Sequence, residues 1–143
     1  MTESPCFVDS NVWLYSLMAD PKAAELENVR KYALAFQLIG SVGLIVSTQV
    51  INEVCSVLLR KAAFTEAQIK QTVQDFYDSC FVVELNAEIL LNASNLRIRY
   101  GFSFWDGLIV ASALSANAEI LYSEDMQDGL VVDQRLTIVN PFK

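Results

Sequence analysis

The chain is predicted to fold as an α/β domain, with a central, mostly parallel sheet of about five short strands covered by helices on both faces. Three observations carry this reading. Short apolar runs alternate along the chain with longer stretches of helical period that begin and end at capping residues. Hydrophobic residues make up 53% of the sequence, enough for a well-filled interior. No linker, repeat or low-complexity tract interrupts the 143 residues, so one domain covering residues 1–143 is expected.

The first strand is Cys6-Phe7-Val8, three apolar residues that stop at Asp9, Ser10 and Asn11. Asn11 to Leu17 starts a short helix. Asp20-Pro21 offers an N-cap with proline at the first helical position, opening a helix to about Ile39. Gly40 to Gly43 breaks it, and Leu44 to Ser47 is the second strand. Ser47 or Thr48 caps a helix to about Ala63, and Thr65 with Gln68 forms a capping box for another to about Ser79. Phe81 to Glu84 is the third strand. Asn86 caps a helix that ends near Tyr100-Gly101, where glycine is a good stop. Ser103 caps the next, from Phe104 to about Ala116. Glu119 to Tyr122 is the fourth strand, Ser123 to Gly129 a polar turn, and Leu136 to Val139 the fifth strand.

Composition narrows the chemistry. The sequence has no histidine, which removes Ser-His-Asp and Cys-His catalysis, histidine general bases and most zinc sites. Cys6, Cys55 and Cys80 lie in apolar segments without metal-ligand spacing and read as reduced core residues. No apolar run is long enough to span a membrane, and the N-terminus lacks the basic and apolar segments of a signal peptide, so a cytoplasmic protein is expected. A net charge of −7 is unlike the basic footprint of most nucleic-acid binders. Either nucleic acid is not the substrate, or metal ions and a few placed basic residues hold it.

The informative pattern is where charge is missing. From Ser4 to Ala19 the only charged residue is Asp9; from Tyr32 to Leu59 it is Glu53; from Tyr100 to Ala118 it is Asp106. Each has an ordinary explanation. Asp9 suits an Asx-turn after a strand, Glu53 a solvated helix position, and Asp106 the capping-box position three residues after Ser103. Glu53, however, neighbours Val50, Val54 and Val57 on an apolar stripe. Asp125 and Asp128 are ordinary loop acids on their own. In an open parallel sheet, function gathers at the carboxyl ends of the strands. Asp9 follows the first strand, Glu53 lies about a turn and a half into the helix after the second, and Asp125 comes just after the fourth. Asp106, in the first turn of its own helix, joins them if that helix crosses to the same rim. Converging carboxylates raise one another's pKa and call for a cation. An all-oxygen donor set selects Mg²⁺ or Mn²⁺, which suits hydrolysis of a phosphodiester.

At these residues the chain resembles the PIN-domain ribonucleases, particularly the VapC-like toxins of type II toxin–antitoxin pairs. The motifs are Asp9-Ser10-Asn11 after the first strand, Asn52-Glu53-Val54, Phe104-Trp105-Asp106-Gly107-Leu108-Ile109, and Ser123-Glu124-Asp125-Met126. The resemblance implies an endoribonuclease with Asp9, Glu53, Asp106 and Asp125 around Mg²⁺ or Mn²⁺. It implies Ser123 as a supporting hydroxyl, Asn11 as a polar group behind the site and Asp128 as an accessory acid. Ser10 and Ser123 stand where threonine is commoner, and both keep a hydroxyl. The family pattern is usually a homodimer, held inactive by a cognate antitoxin whose tail covers the site. Arg60, Lys61, Lys70, Arg97 and Arg99 are candidates to line an RNA path, unless they are simply solvated helix faces. Tyr100, Phe102, Phe104 and Trp105 are candidates to stack bases, although core packing suits most of them.

Two rivals remain for comparison. An aspartyl-phosphate phosphatase also places its nucleophile after a first strand, but usually needs a second aspartate where this chain has Asn11. A catalytically silent PIN-fold module that binds RNA or protein would usually have lost one of the four acids, and all are present.

Overall fold

A computed structural model describes residues 4–18, 26–40 and 43–143. The elements in chain order are β1 (Cys6–Val8), α1 (Ser10–Leu17), α2 (Leu26–Ile39), β2 (Leu44–Ser47), α3 (Thr48–Lys61), α4 (Glu66–Ser79), β3 (Phe81–Val83), α5 (Ala87–Tyr100), α6 (Phe104–Ser115), β4 (Ile120–Tyr122), β5 (Val131–Val132) and β6 (Leu136–Val139). The helix start expected at Asp20-Pro21 lies outside the described residues.

The sheet runs β3-β2-β1-β4-β6-β5, parallel throughout except for the antiparallel β5–β6 edge. β1 lies inside it, with Phe7 and Val8 fully buried. From β1 the chain first winds outward through β2 and β3, then returns to add β4 on β1's other side. The order therefore reverses between β1 and β4, a crevice at which open α/β sheets bind ligands.

The sequence predicts about five strands, and the described residues form six. The additional one, β5, is only two residues long and pairs back on β6 after a turn with Asp133 and Gln134 at positive φ. Two residues are too few to show an alternating pattern, which is why the sequence could not reveal it.

Local chemistry explains most boundaries. Ser47 Oγ accepts from the Val50 amide at 3.3 Å and caps α3. The Thr65–Gln68 capping box forms in both directions at the start of α4. Asn86 and Ser103 cap α5 and α6, accepting from the amides of Ile89 and Asp106. Gly101 ends α5 at φ +73°, where a side chain would be strained.

The core comes from α3 and α6 packed near the sheet. In α3, Val50, Ile51, Val54, Cys55 and Leu58 form one buried stripe, and in α6 every residue from Gly107 to Leu114 is buried. Trp13 closes one end, edge-on to Phe76 with ring centroids 4.9 Å apart, its indole N–H donating to the Val8 carbonyl. Cys55 is buried and the three cysteines are unbridged; burial raises the thiol pKa of Cys55 and Cys80, which disfavours the thiolate. No helix among the described residues is long and apolar enough to cross a membrane.

Candidate functional site

Because β1, β2 and β4 are parallel, their carboxyl ends open on one edge of the sheet. Asp9 follows β1 there and doubles as the N-cap of α1, its Oδ1 accepting from the Ser10 amide at 2.7 Å. Ser123 follows β4, is fully buried, and donates its hydroxyl to Asp9 Oδ2 at 2.9 Å. The same hydroxyl oxygen accepts from the Asp125 amide at 3.3 Å. One serine thus ties the Asp9 carboxylate to the loop that carries Asp125.

Asp9 is only 6% exposed. Burial raises its pKa from the usual carboxylate range to about 6, against the opposing hydrogen bonds from Ser123 and Ser10. The negative charges of Glu53 and Asp106 push the same way as burial. Asp9 is therefore close enough to both acids to feel their charge.

Glu53 sits on the exposed side of α3, held from two directions. Ser10 Oγ donates to its Oε2 at 3.0 Å, and Gln49 Nε2, one turn earlier on α3, donates to its Oε1 at 2.7 Å. Gln49 is buried and its Nε2 also reaches the Trp105 carbonyl at 3.4 Å, so it links α3 to the start of α6 beside Asp106. Its own Oε1 is buried without a hydrogen-bond partner. Asp125 is exposed and accepts from Asn11 Nδ2 at 3.0 Å, while Asn11 Oδ1 accepts from the Glu124 amide at 3.2 Å.

The sequence-derived residues separate clearly. Asp9, Glu53, Asp125, Asn11 and Ser123 belong to one hydrogen-bonded constellation, and Asp106 joins it through its charge on Asp9. Asp128 is bonded elsewhere, accepting from the Asn140 amide at 2.8 Å. Every hydrogen bond to these carboxylates comes from a neutral donor. Among the described residues no lysine or arginine pairs with Asp9, Glu53, Asp106 or Asp125. Nor do three acidic side chains of the described residues stand within reach of a common ion, since Glu53 is turned to Ser10 and Gln49, and Asp125 to Asn11.

The structure adds residues that the sequence did not single out. Gln49 lies one helical turn before Glu53, a spacing that was visible, but its burial was not. Lys31 of α2 pairs with Glu124 at 2.6 Å, and Tyr15 O–H donates to the same carboxylate at 3.0 Å. That half-buried cluster fastens α1 and α2 to the residue next to Asp125. Lys31 and Glu124 are far apart in the sequence, so no local pattern announces them.

The basic and aromatic candidates also divide. Arg99 is committed to Asp133 through two bonds, and Arg60 and Lys61 complement the dipole in the last turn of α3. Lys70 is exposed on α4. Tyr100 and Phe102 pack against the core, whereas Phe104 and Trp105 are 56% and 62% exposed.

The arrangement has clear likenesses among known proteins. The family model described as PIN domain matches residues 6–127. A toxin–antitoxin complex from Klebsiella pneumoniae has a chain of similar fold, with TM-score 0.63 and 15% identity over 95% of this chain and 97% of that one. VapC20 of Mycobacterium tuberculosis, a toxin that cleaves the sarcin-ricin loop, gives TM-score 0.63 and 19% identity over 84% and 89% of the two chains. VapBC2 of Rickettsia felis, bound to a DNA fragment from its promoter, gives 0.60 and 15% over 94% and 98%. No curated protein matches in sequence. With the match running from the strand before Asp9 to the loop beyond Asp125, the chain belongs to the PIN domain family.

Proposed function

We propose that this protein is a Mg²⁺- or Mn²⁺-dependent endoribonuclease, acting in the cytoplasm as the toxin of a toxin–antitoxin pair. The observation that carries the reading is Asp9, a buried carboxylate at the crevice of the sheet whose neighbours Glu53 and Asp106 add negative rather than positive charge. Such a group is unfavourable unless a cation meets it.

Although as placed no three of the described acids reach a common ion, by chemistry the donor set suits a hard divalent one. It is entirely oxygen, and no described basic side chain neutralises it. Asp9, Glu53, Asp106 and Asp125 would hold the ion once Glu53 and Asp125 turn from their present partners toward Asp9. The ion would then supply an activated water and stabilise the leaving oxygen of a phosphodiester. The chain's own groups orient the acids. Ser123 and the Ser10 amide fix Asp9, Ser10 Oγ and Gln49 hold Glu53 at the same rim, and Asn11 steadies Asp125. The toxin–antitoxin complexes of similar fold support a protein antitoxin as partner. A homodimer is the accompanying expectation.

Purified protein incubated with RNA should cleave it in the presence of Mg²⁺ or Mn²⁺ and stop when EDTA is added. No cleavage with either ion would overturn the enzyme assignment in favour of a silent binding module. Gln49→Leu should lower cleavage by about tenfold, because Glu53 loses a charge-assisted hydrogen bond. Its denaturant midpoint should shift by less than about 1 kcal/mol equivalent, since the substitution also removes an unsatisfied buried carbonyl. A large loss of stability with unchanged cleavage would show Gln49 to be structural only.

A further inference from the structure

Phe104 and Trp105 open the first turn of α6 with most of their rings in solvent, edge to face at 5.1 Å. Two large aromatics exposed together, immediately before Asp106, are not explained by core packing. Arg97 of α5 lies over the Phe104 ring, its guanidinium 4.4 Å from the centroid, and donates to the Phe104 carbonyl at 3.1 Å and to Ser94 Oγ at 3.0 Å. No described carboxylate pairs with it, so its charge stays uncommitted.

A glycine makes this arrangement possible. A Cβ at Gly107 would meet Arg97 Cγ at 2.7 Å, a contact at the stem of the side chain and not its flexible end. Glycine within a helix is disfavoured relative to alanine. Here it lets Arg97 cross the helix and reach Phe104. The pair is further tied to the acids, because the Trp105 carbonyl accepts from the same Gln49 amide that holds Glu53.

We propose that Phe104, Trp105 and Arg97 form a platform on which an unpaired base of the RNA substrate stacks, bringing the adjoining phosphodiester to the acids. Every base offers a π-face to exposed aromatic rings, and a guanidinium beside them that no described carboxylate neutralises attracts the phosphate. The platform accepts splayed bases and discriminates against duplex RNA, whose bases are stacked on each other. This deepens the proposed function and rests on it for the nature of the substrate.

The test measures binding apart from cleavage. A short single-stranded oligoadenylate is titrated in Ca²⁺, with tryptophan emission and fluorescence anisotropy as readouts. An abasic ribose-phosphate chain of the same length and a duplex serve as comparisons. Trp13 is buried, so quenching reports Trp105. Oligoadenylate should quench the emission and the abasic chain should not. Phe104→Ala and Trp105→Ala should each raise Kd by about tenfold, roughly 1.4 kcal/mol. Trp105→Phe should recover most of the affinity, and Gly107→Ala should weaken binding by displacing Arg97. Unchanged circular dichroism secures the fold of each variant.

Equal Kd values for wild type and Trp105→Ala, or for oligoadenylate and the abasic chain, would overturn the platform; RNA cleavage by the wild type would then leave the nuclease reading standing and point to a protein segment as the occupant of these rings. Base-dependent quenching in a protein that cuts no RNA with Mg²⁺ or Mn²⁺ would keep the platform and sink the nuclease.

Discussion

Asp9→Asn is expected to reduce RNA cleavage by at least about a thousandfold, the loss of some 4 kcal/mol of transition-state stabilisation from an ion that is no longer held correctly. The same substitution should make the metal-free protein more stable at neutral pH. Asp9 is 6% exposed and accepts hydrogen bonds only from neutral donors, so its ionised form lacks a compensating charge. Asparagine keeps the shape and can still accept from the Ser10 amide. It must present its amide N–H₂ to the Ser123 oxygen, which limits the gain to about 2 kcal/mol. Urea unfolding in EDTA and cleavage assays in Mn²⁺ on the same preparation check both halves. Loss of stability together with activity would mean that Asp9 is chiefly a turn residue capping α1.

The metal-free wild type should lose stability as pH rises from about 4 to about 6, and the sign follows from the same carboxyl. Its pKa in the folded protein is about 6, above the 3.8 of an unperturbed aspartate. Between those values the folded state binds more protons than the unfolded one, so stability falls with rising pH. The full effect is about 3 kcal/mol at 1.36 kcal/mol per pH unit. Asp133, whose pKa is lowered by the Arg99 guanidinium beside it, contributes in the opposite direction, with its stability lost as pH falls below about 4. The comparison is therefore wild type against Asp9→Asn, whose difference should grow through that window and level off above it. Saturating Mn²⁺ should abolish the difference by stabilising the ionised carboxylate. A pH-independent difference between the two proteins would refute the burial argument.

Much of this fold was legible because its signals are local. Each cap identified at Ser47, Thr65–Gln68, Asn86 and Ser103 uses a side chain to satisfy an amide three residues on, and a spacing of three is readable in a sequence. Likewise an acid isolated in an uncharged stretch is visible without coordinates. β5 was not legible, because two residues carry no period. The aromatic candidates were divisible only by burial: Phe102 and Phe104 are two residues apart, yet one packs on the core and the other faces solvent.

By itself the sequence determined the α/β class, the order of the main elements and the acids Asp9, Glu53, Asp106 and Asp125 as the groups to watch. These depend on hydrophobic period, capping chemistry, the absence of histidine and, for Asp9, Glu53 and Asp106, the absence of nearby charge; Asp125 stood out by following a strand and by the family resemblance. Tertiary structure alone decided how those acids are held. Ser123 bonding Asp9, Asn11 bonding Asp125 and Lys31 bonding Glu124 join residues distant in the chain, brought together by parallel strands that end on one edge. It also decided that Gln49 faces inward with an unsatisfied carbonyl and that Gly107 clears a path for Arg97. The physical reason is common to all of them. A hydrogen bond or a close contact depends on a distance of a few ångströms, and sequence separation does not set that distance until the sheet is assembled.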